Sequence, residues 1–200
     1  MSDATYVEFE NQLIIRRIEL TCSRRDFLKL GIATFTASFL PLPAFAAALT
    51  QPDTHRRLAF YNIHTGESAE ICYYDCGDYC SDALDNVNHI LRDYRADEVI
   101  PIDPKLLDQL YALKLKTGTK SPFHVISGYR TPATNAMLRR RSKGVARRSY
   151  HTKGKAIDIR IPGYNTHRLR NVALSLRAGG VGYYRASNFV HIDTGPVRTW

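Results

Sequence analysis

One histidine and two aspartates in the last quarter of the chain stand where a core strand would place apolar residues, and a second histidine lies on a loop just ahead of them. The segment RRSYHTKGKAIDIR, residues 147–160, sets His151 seven residues ahead of Asp158, and Asp158 lies between Ile157 and Ile159. Further on, NFVHIDTG alternates His191 and Asp193 with Val190 and Ile192. In an extended strand, alternation puts Asp158 and its isoleucine neighbours on opposite faces and gives His191 and Asp193 a common face. If the two strands pair, Asp158, His191 and Asp193 converge. A carboxylate among isoleucines is costly to bury unless something positive compensates it. A metal ion does so economically. His151, Asp158 and His191 offer two neutral imidazoles and one carboxylate and leave a fourth position for water, the donor set of a catalytic rather than a structural zinc site. Gly154 lets the chain turn tightly between His151 and the strand. The plainer reading makes each histidine a surface or hydrogen-bonded core residue and pairs the aspartates with the many arginines. The joint pattern favours the metal.

These residues need elements to position them. LAFYN, IHTGE and SAEICYY read as a hairpin around a glycine. Ser81 is the expected cap of a helix with Leu84, Val87, Leu91 and Tyr94 at helical spacing, and Ala83 and Ile90 widen the stripe. Asp103 and Pro104 open a second helix, with Leu106, Leu107, Leu110, Tyr111 and Leu113 inward and a stop near Gly118. FHVISGYR reads as a buried strand and turn, and TPATNAMLRRRS as a short helix begun by Thr131 and Pro132. KAIDIRI is a strand. THRLRNVALSLRAGG is a core helix with Leu169, Val172, Ala173 and Leu176 inward and Gly179 at its end, and VGYYRASNFVHIDTG supplies one or two strands.

The chain has 200 residues, 44% hydrophobic and 24% charged, which is ordinary for one soluble globular core. Its beginning reads as something else. Ser23, Arg24, Arg25, Asp26, Phe27, Leu28 and Lys29 fit the twin-arginine consensus, and an apolar region from Leu30 to Leu40 follows. That run is shorter than the ~20 residues of a membrane span. Cleavage between Ala46 and Ala47 fits the small-x-small pattern, so residues 1–46 are read as a leader for the twin-arginine export machinery and 47–200 as a single domain, with no stable membrane span after cleavage. A retained anchor is the alternative. The formal charge of +9 falls wholly on the second part, with 23 basic and 14 acidic residues. In an exported chain this points to an acidic ligand or polyanion, with peptidoglycan stem-peptide carboxylates, anionic lipid and lipopolysaccharide as candidates, and away from nucleic acid. Arg139, Arg140, Arg141, Lys143, Arg147 and Arg148 crowd just before the histidine motif, either as an attractive flank of a cleft or as a solvated face. Cys72, Cys76 and Cys80 are an odd set, either one disulfide plus a free thiol or, more sharply, a three-thiolate metal site.

SYHTKGKAID fits S-x-H-x-x-G-x-A-x-D at every fixed position; with SGYR at Ser127–Arg130 and the terminal NFVHIDTG it resembles the zinc D-Ala-D-Ala metallopeptidases, and among them the murein endopeptidase K type. NIHTGES, LRDYRA, IDP and RAGGVGYY extend the likeness over most of the chain after the leader. The resemblance implies a small α+β domain with a central antiparallel sheet that holds a zinc ion on His151, Asp158 and His191, with helices packed on one side. It implies periplasmic hydrolysis of the peptide cross-links of peptidoglycan, between D-alanine and diaminopimelate or between two diaminopimelates. A carboxypeptidase that trims terminal D-alanine and a non-catalytic peptidoglycan-binding module are the alternatives. By the same likeness Arg130 binds substrate or polarises the scissile carbonyl, and Ser149 sits beside the substrate carboxylate; a structural salt bridge and a turn hydrogen bond are their plainer roles. One departure stands out. Carboxypeptidases of this group carry a glutamate three residues before the last histidine as general base, where this chain has Asn188. Asp193 is therefore the candidate base, with orientation of His191 as its rival role.

Overall fold

Alternation begins as soon as the chain enters the sheet. Strand β1 (His55–Asn62) turns Leu58 and Phe60 inward, β2 (Ser68–Asp75) does the same with Ile71 and Tyr73, and the turn through Gly66 joins them as an antiparallel hairpin. The structure, a computed structural model, describes residues 54–142 and 144–200. The twin-arginine motif, its apolar region, the cleavage site, Cys22 and Lys143 lie outside the described residues. Among the described residues no helix is long and apolar enough to cross a membrane.

After the short β3 (Asp78–Tyr79) come helix α1 (Ser81–Ile90), helix α2 (Pro104–Thr117), β4 (Phe123–Ser127) and helix α3 (Pro132–Arg141). A single 3-10 turn (Tyr150–Lys153) leads into β5 (Ala156–Arg160), followed by helix α4 (Thr166–Leu176), β6 (Gly180–Tyr184), β7 (Phe189–Asp193) and β8 (Arg198–Thr199). The expected caps of α2 and α3 are present. Asp103 accepts from Lys105 N at 3.0 Å, Gly118 ends α2 at φ +65°, and Thr131 accepts from Thr134 N at 3.0 Å. Three local expectations are corrected. Ser81 is the first helical residue and Cys80 holds the cap position; α1 stops before Leu91, so Tyr94 leaves the helix and stacks on His64 at 4.2 Å. Helix α4 ends on Arg177 in the left-handed conformation, not on Gly179. Gly179 is needed for a different reason, since a Cβ there would lie 1.8 Å from the Asp193 carbonyl oxygen.

The eight strands form one sheet in the order β3-β2-β1-β4-β5-β7-β6-β8. It is mixed, which corrects the antiparallel expectation: β1 runs parallel to β4, and β6 parallel to β8. The crossover through α1 and α2 returns the chain to the sheet in the direction of β1, and alternation specifies which face a strand buries but not which neighbour it takes. Helix α1 lies on β2, α2 on β1 and α4, and α4 on β6 and β7. Leu106, Leu107, Leu110 and Leu113 of α2 and Leu169 of α4 are fully buried with Ile157, Ile159 and Val190 from the sheet. Each such side chain is worth about 1.5–3 kcal/mol of burial. Helix α3 contributes differently from the other three. It adds no apolar residue to this core, buries Thr134 and Asn135, and is tied by Asn135 Nδ2 to the Ala146 carbonyl.

One surface pair carries a testable pH dependence. Arg92 donates to both oxygens of Glu67, at 2.8 and 3.1 Å, and Thr65 donates at 2.8 Å; these bonds hold the Glu67 carboxyl down at about 2. A lowered folded-state pKa means that the contribution is complete above the usual carboxylate range and is lost as pH falls toward 2. Glu67 is 38% exposed, so solvent screens the pair and the effect is small. Replacing Glu67 with Gln should flatten the fall in Tm between about pH 4.5 and pH 2; an unchanged slope would place the acid sensitivity elsewhere.

Candidate metal centre

Each donor is placed by main-chain geometry that the sequence specifies locally. His151 sits on the 3-10 turn, where the Ser149 hydroxyl accepts from His151 N at 3.3 Å and Gly154 closes the turn at φ +64°. A Cβ at Gly154 would lie 2.4 Å from the Pro101 carbonyl oxygen, so glycine is required both for conformation and for space. Asp158 and His191 are direct cross-strand partners in the β5–β7 ladder, and Ala156 faces Asp193 in the same ladder. The convergence expected from alternation is therefore real for Asp158 and His191. Their side chains project from the sheet face opposite to Ile157, Ile159, Val190 and Ile192.

Three ligand atoms meet. His151 Nε2 is 3.2 Å from Asp158 Oδ1 and 3.1 Å from His191 Nδ1, and His191 Nδ1 is 2.8 Å from Asp158 Oδ1. The outer ring nitrogens decide the tautomers. His151 Nδ1 donates to the Gly128 carbonyl at 2.7 Å, and His191 Nε2 donates to Asp193 Oδ2 at 3.0 Å. Each imidazole has its proton on the outside and turns a lone pair inward toward a carboxylate. Three buried acceptors at such separations repel one another unless a metal cation, or a proton on His191 Nδ1, lies among them. The donor chemistry thus fits a metal ion, and His151, Asp158 and His191 form a possible metal group.

The electrostatics of the metal-free cluster differ between the two rings: His151 stays neutral, and His191 favours a proton that a metal would displace. Burial pushes the His151 imidazole down and keeps it neutral. Burial alone would raise the Asp158 carboxyl, but the two imidazoles hold it well below the usual carboxylate range. For His191, burial is outweighed by hydrogen bonds to Asp158 and Asp193, which raise it.

Asp193 is on the predicted face, yet its carboxylate reaches the outer nitrogen of His191 and not the inner cluster. It is fully buried and accepts from Gly180 N at 3.2 Å, Gly195 N at 2.8 Å and Arg198 Nη2 at 2.6 Å. Asn188 is turned away as well; its Oδ1 accepts from Thr166 at 2.9 Å. Arg130 donates through Nη2 to Ser149 Oγ at 3.2 Å, its Nε is buried without a hydrogen-bond partner, and burial lowers its pKa. Ser149 accordingly makes the turn hydrogen bond of its plainer reading and also meets Arg130.

The cluster opens into a cleft of about 310 Å³ whose walls include Arg130, Ser149, Tyr150, Tyr184, Arg198 and Trp200. Arg148 lies on its lining, while Arg139, Arg140, Arg141 and Arg147 are exposed. The Trp200 ring lies 5.1 Å from that of His191, and Arg198 sits 5.0 Å over Trp200 and 5.2 Å over Tyr150. Sequence reasoning missed Arg198, Trp200 and the Gly128 carbonyl. An arginine five residues beyond Asp193 in an apparent tail was the only signal for the first, and a backbone carbonyl carries none.

A family model described as "Peptidoglycan L,D-endopeptidase MepK" matches residues 50–200. The protein named peptidoglycan L,D-endopeptidase MepK from Escherichia coli (strain K12) is 51% identical over 178 residues, 89% of this chain and 97% of that protein. A probable peptidoglycan L,D-endopeptidase MepK from Haemophilus influenzae is 42% identical over 179 residues, 89% of this chain and 95% of that protein. No solved structure matches the chain.

Proposed function

This chain belongs to the peptidoglycan L,D-endopeptidase MepK family of M15 peptidases, and on that premise we propose that it is a zinc-dependent endopeptidase that hydrolyses peptide cross-links of peptidoglycan. The observation that carries the reading is the inward meeting of three buried lone-pair donors, His151 Nε2, Asp158 Oδ1 and His191 Nδ1, at the floor of a cleft. The relatives' names specify an L,D bond. That stereochemistry favours the link between two diaminopimelates over the D,D link from D-alanine to diaminopimelate.

His151, Asp158 and His191 would hold the zinc ion. Bound there, zinc supplies Lewis acidity, polarising an amide carbonyl and making water acidic enough to attack near neutral pH. The chain's own groups prepare and orient. The Gly128 carbonyl and Asp193 lock the two imidazoles in the tautomers that point lone pairs inward. Asp193 is assigned to orienting His191 and not to taking the water's proton, because its oxygens are closed in by His191, Gly180, Gly195 and Arg198. Burial would raise that carboxyl, but hydrogen bonds from His191 and Gly195 and the charge of Arg198 hold it ionised. Arg130, with an unpartnered buried Nε beside the cluster, stabilises the oxyanion of the tetrahedral intermediate, and Ser149 fixes its guanidinium and lies beside the substrate carboxylate. Arg148 and the exposed arginines of α3 attract the carboxylates of stem peptides. Residues 1–46 are the twin-arginine leader, 47–200 the catalytic domain, and the periplasm the place of action.

Incubating the protein with cross-linked muropeptides, with and without chelator, tests this function. Conversion of dimers to monomers that chelator stops is the expected result. Loss of terminal D-alanine alone would mean a carboxypeptidase, and retention without cleavage a binding module. Arg130→Ala should lower kcat/KM on the same dimers about a hundredfold, with metal content unchanged. Activity close to the parent's would return Arg130 to a structural role.

A further inference from the structure

At the other end of the sheet, three residues that the proposed hydrolysis does not use stand together: His55, Asp75 and Cys76. We infer that they form a second metal site, one that takes a borderline divalent cation of the zinc class. Main-chain geometry sets all three positions. His55 and Asp75 are register partners in the β1–β2 ladder, and Cys76 N donates to the Thr54 carbonyl at 2.9 Å. The His55 Nδ1 contacts Asp75 Oδ1, and one ligand atom from each of the three lies within 4.8 Å of the others. Four strand spacings separate β2 from β7, about 19 Å, too far for this group to share an ion with His151, Asp158 and His191.

The tip of the β2–β3 hairpin is Cys76 at φ +50° followed by Gly77 at φ +100°. Turns of this kind favour Asn, Asp or Gly at the first of these positions, so the cysteine is not accounted for by turn chemistry. One imidazole, one carboxylate and one thiolate are too soft a set for Ca²⁺ or Mg²⁺ and too hard for Cu(I), and they suit Zn²⁺. Cys72 and Cys80 are free thiols outside this group, and water completes the coordination. The three-thiolate expectation for Cys72, Cys76 and Cys80 gives way to a mixed set. A bound ion would clip the start of β1 to the hairpin and stabilise the folded state by mass action.

Cobalt(II) separates this site from the catalytic one, because His151, Asp158 and His191 contain no sulfur. Titrating the reduced full chain with Co²⁺ should produce a thiolate-to-cobalt charge-transfer band in the near ultraviolet, which Zn²⁺ displaces. The Cys76→Ser protein should lose that band and one equivalent of bound metal, with muropeptide cleavage unchanged. His55→Ala, which leaves every thiol in place, should weaken the band at a given Co²⁺ concentration. Asp158→Asn should leave it intact, so failure of the catalytic reading would not remove it. A parent protein without the band, or a band that survives Cys76→Ser, would overturn the inference.

Discussion

Asp158→Asn is expected to give a folded protein that cleaves cross-linked muropeptides at least about a thousandfold more slowly than the parent, since several kcal/mol of Lewis-acid stabilisation corresponds to tenfold per ~1.4 kcal/mol. The substitution keeps the shape of the side chain and removes its charge. In the metal-free parent, two imidazole nitrogens and a carboxylate oxygen face one another at 2.8–3.2 Å. A proton on His191 Nδ1 can bridge that ring to Asp158 in the metal-free parent, and an asparagine amide can donate to the same nitrogen, so the metal-free variant should match the metal-free parent in stability. Zinc should then raise the Tm of the parent and leave that of the variant unmoved. The pairing of lost turnover with undiminished metal-free stability distinguishes a ligand from a residue that merely supports the fold. A variant that keeps turnover, or a parent whose Tm ignores zinc, would remove Asp158 from the centre.

Asp193→Ala is expected to weaken metal binding about 10–100-fold and to cost the fold about 3 kcal/mol. Both effects follow from its position behind His191. The substitution leaves the buried Gly180 amide and His191 Nε2 proton without their acceptor, and takes the carboxylate from the half-buried Gly195 amide and the exposed Arg198 guanidinium. Freed of that anchor, His191 no longer has its lone pair held inward. Asp193→Asn, which keeps an acceptor oxygen and the volume, should recover much of the stability. Metal titration against a competing chelator and turnover at saturating zinc then read the role. Turnover restored by excess metal fits an orienting carboxylate. A metal-replete variant with no turnover would make Asp193 the proton acceptor after all.

Much of the fold is legible because its signals are local. Asp103, Pro104 and Gly118 mark α2, and Thr131 and Pro132 mark the start of α3, since capping involves atoms within a few residues. Signals of this kind failed where a tertiary contact competed. Gly179 reads as a helix stop, but it is small because the Asp193 backbone passes against it. Ser81 reads as a cap, but it lies one residue inside the helix. Asp193 could be placed on the correct face by alternation, yet alternation says nothing about which nitrogen of a neighbouring ring a carboxylate will reach.

By itself the amino-acid sequence determined the donor types, their spacing and the faces of the strands that carry them, because side-chain periodicity is a property of a single strand. Only the tertiary structure decided that β4 runs parallel to β1, that Asp158 stands opposite His191, and that Gly128 and Asp193 hold the outer nitrogens of the two histidines. Those outcomes depend on which segments meet across long stretches of chain, a choice made by packing the whole core at once.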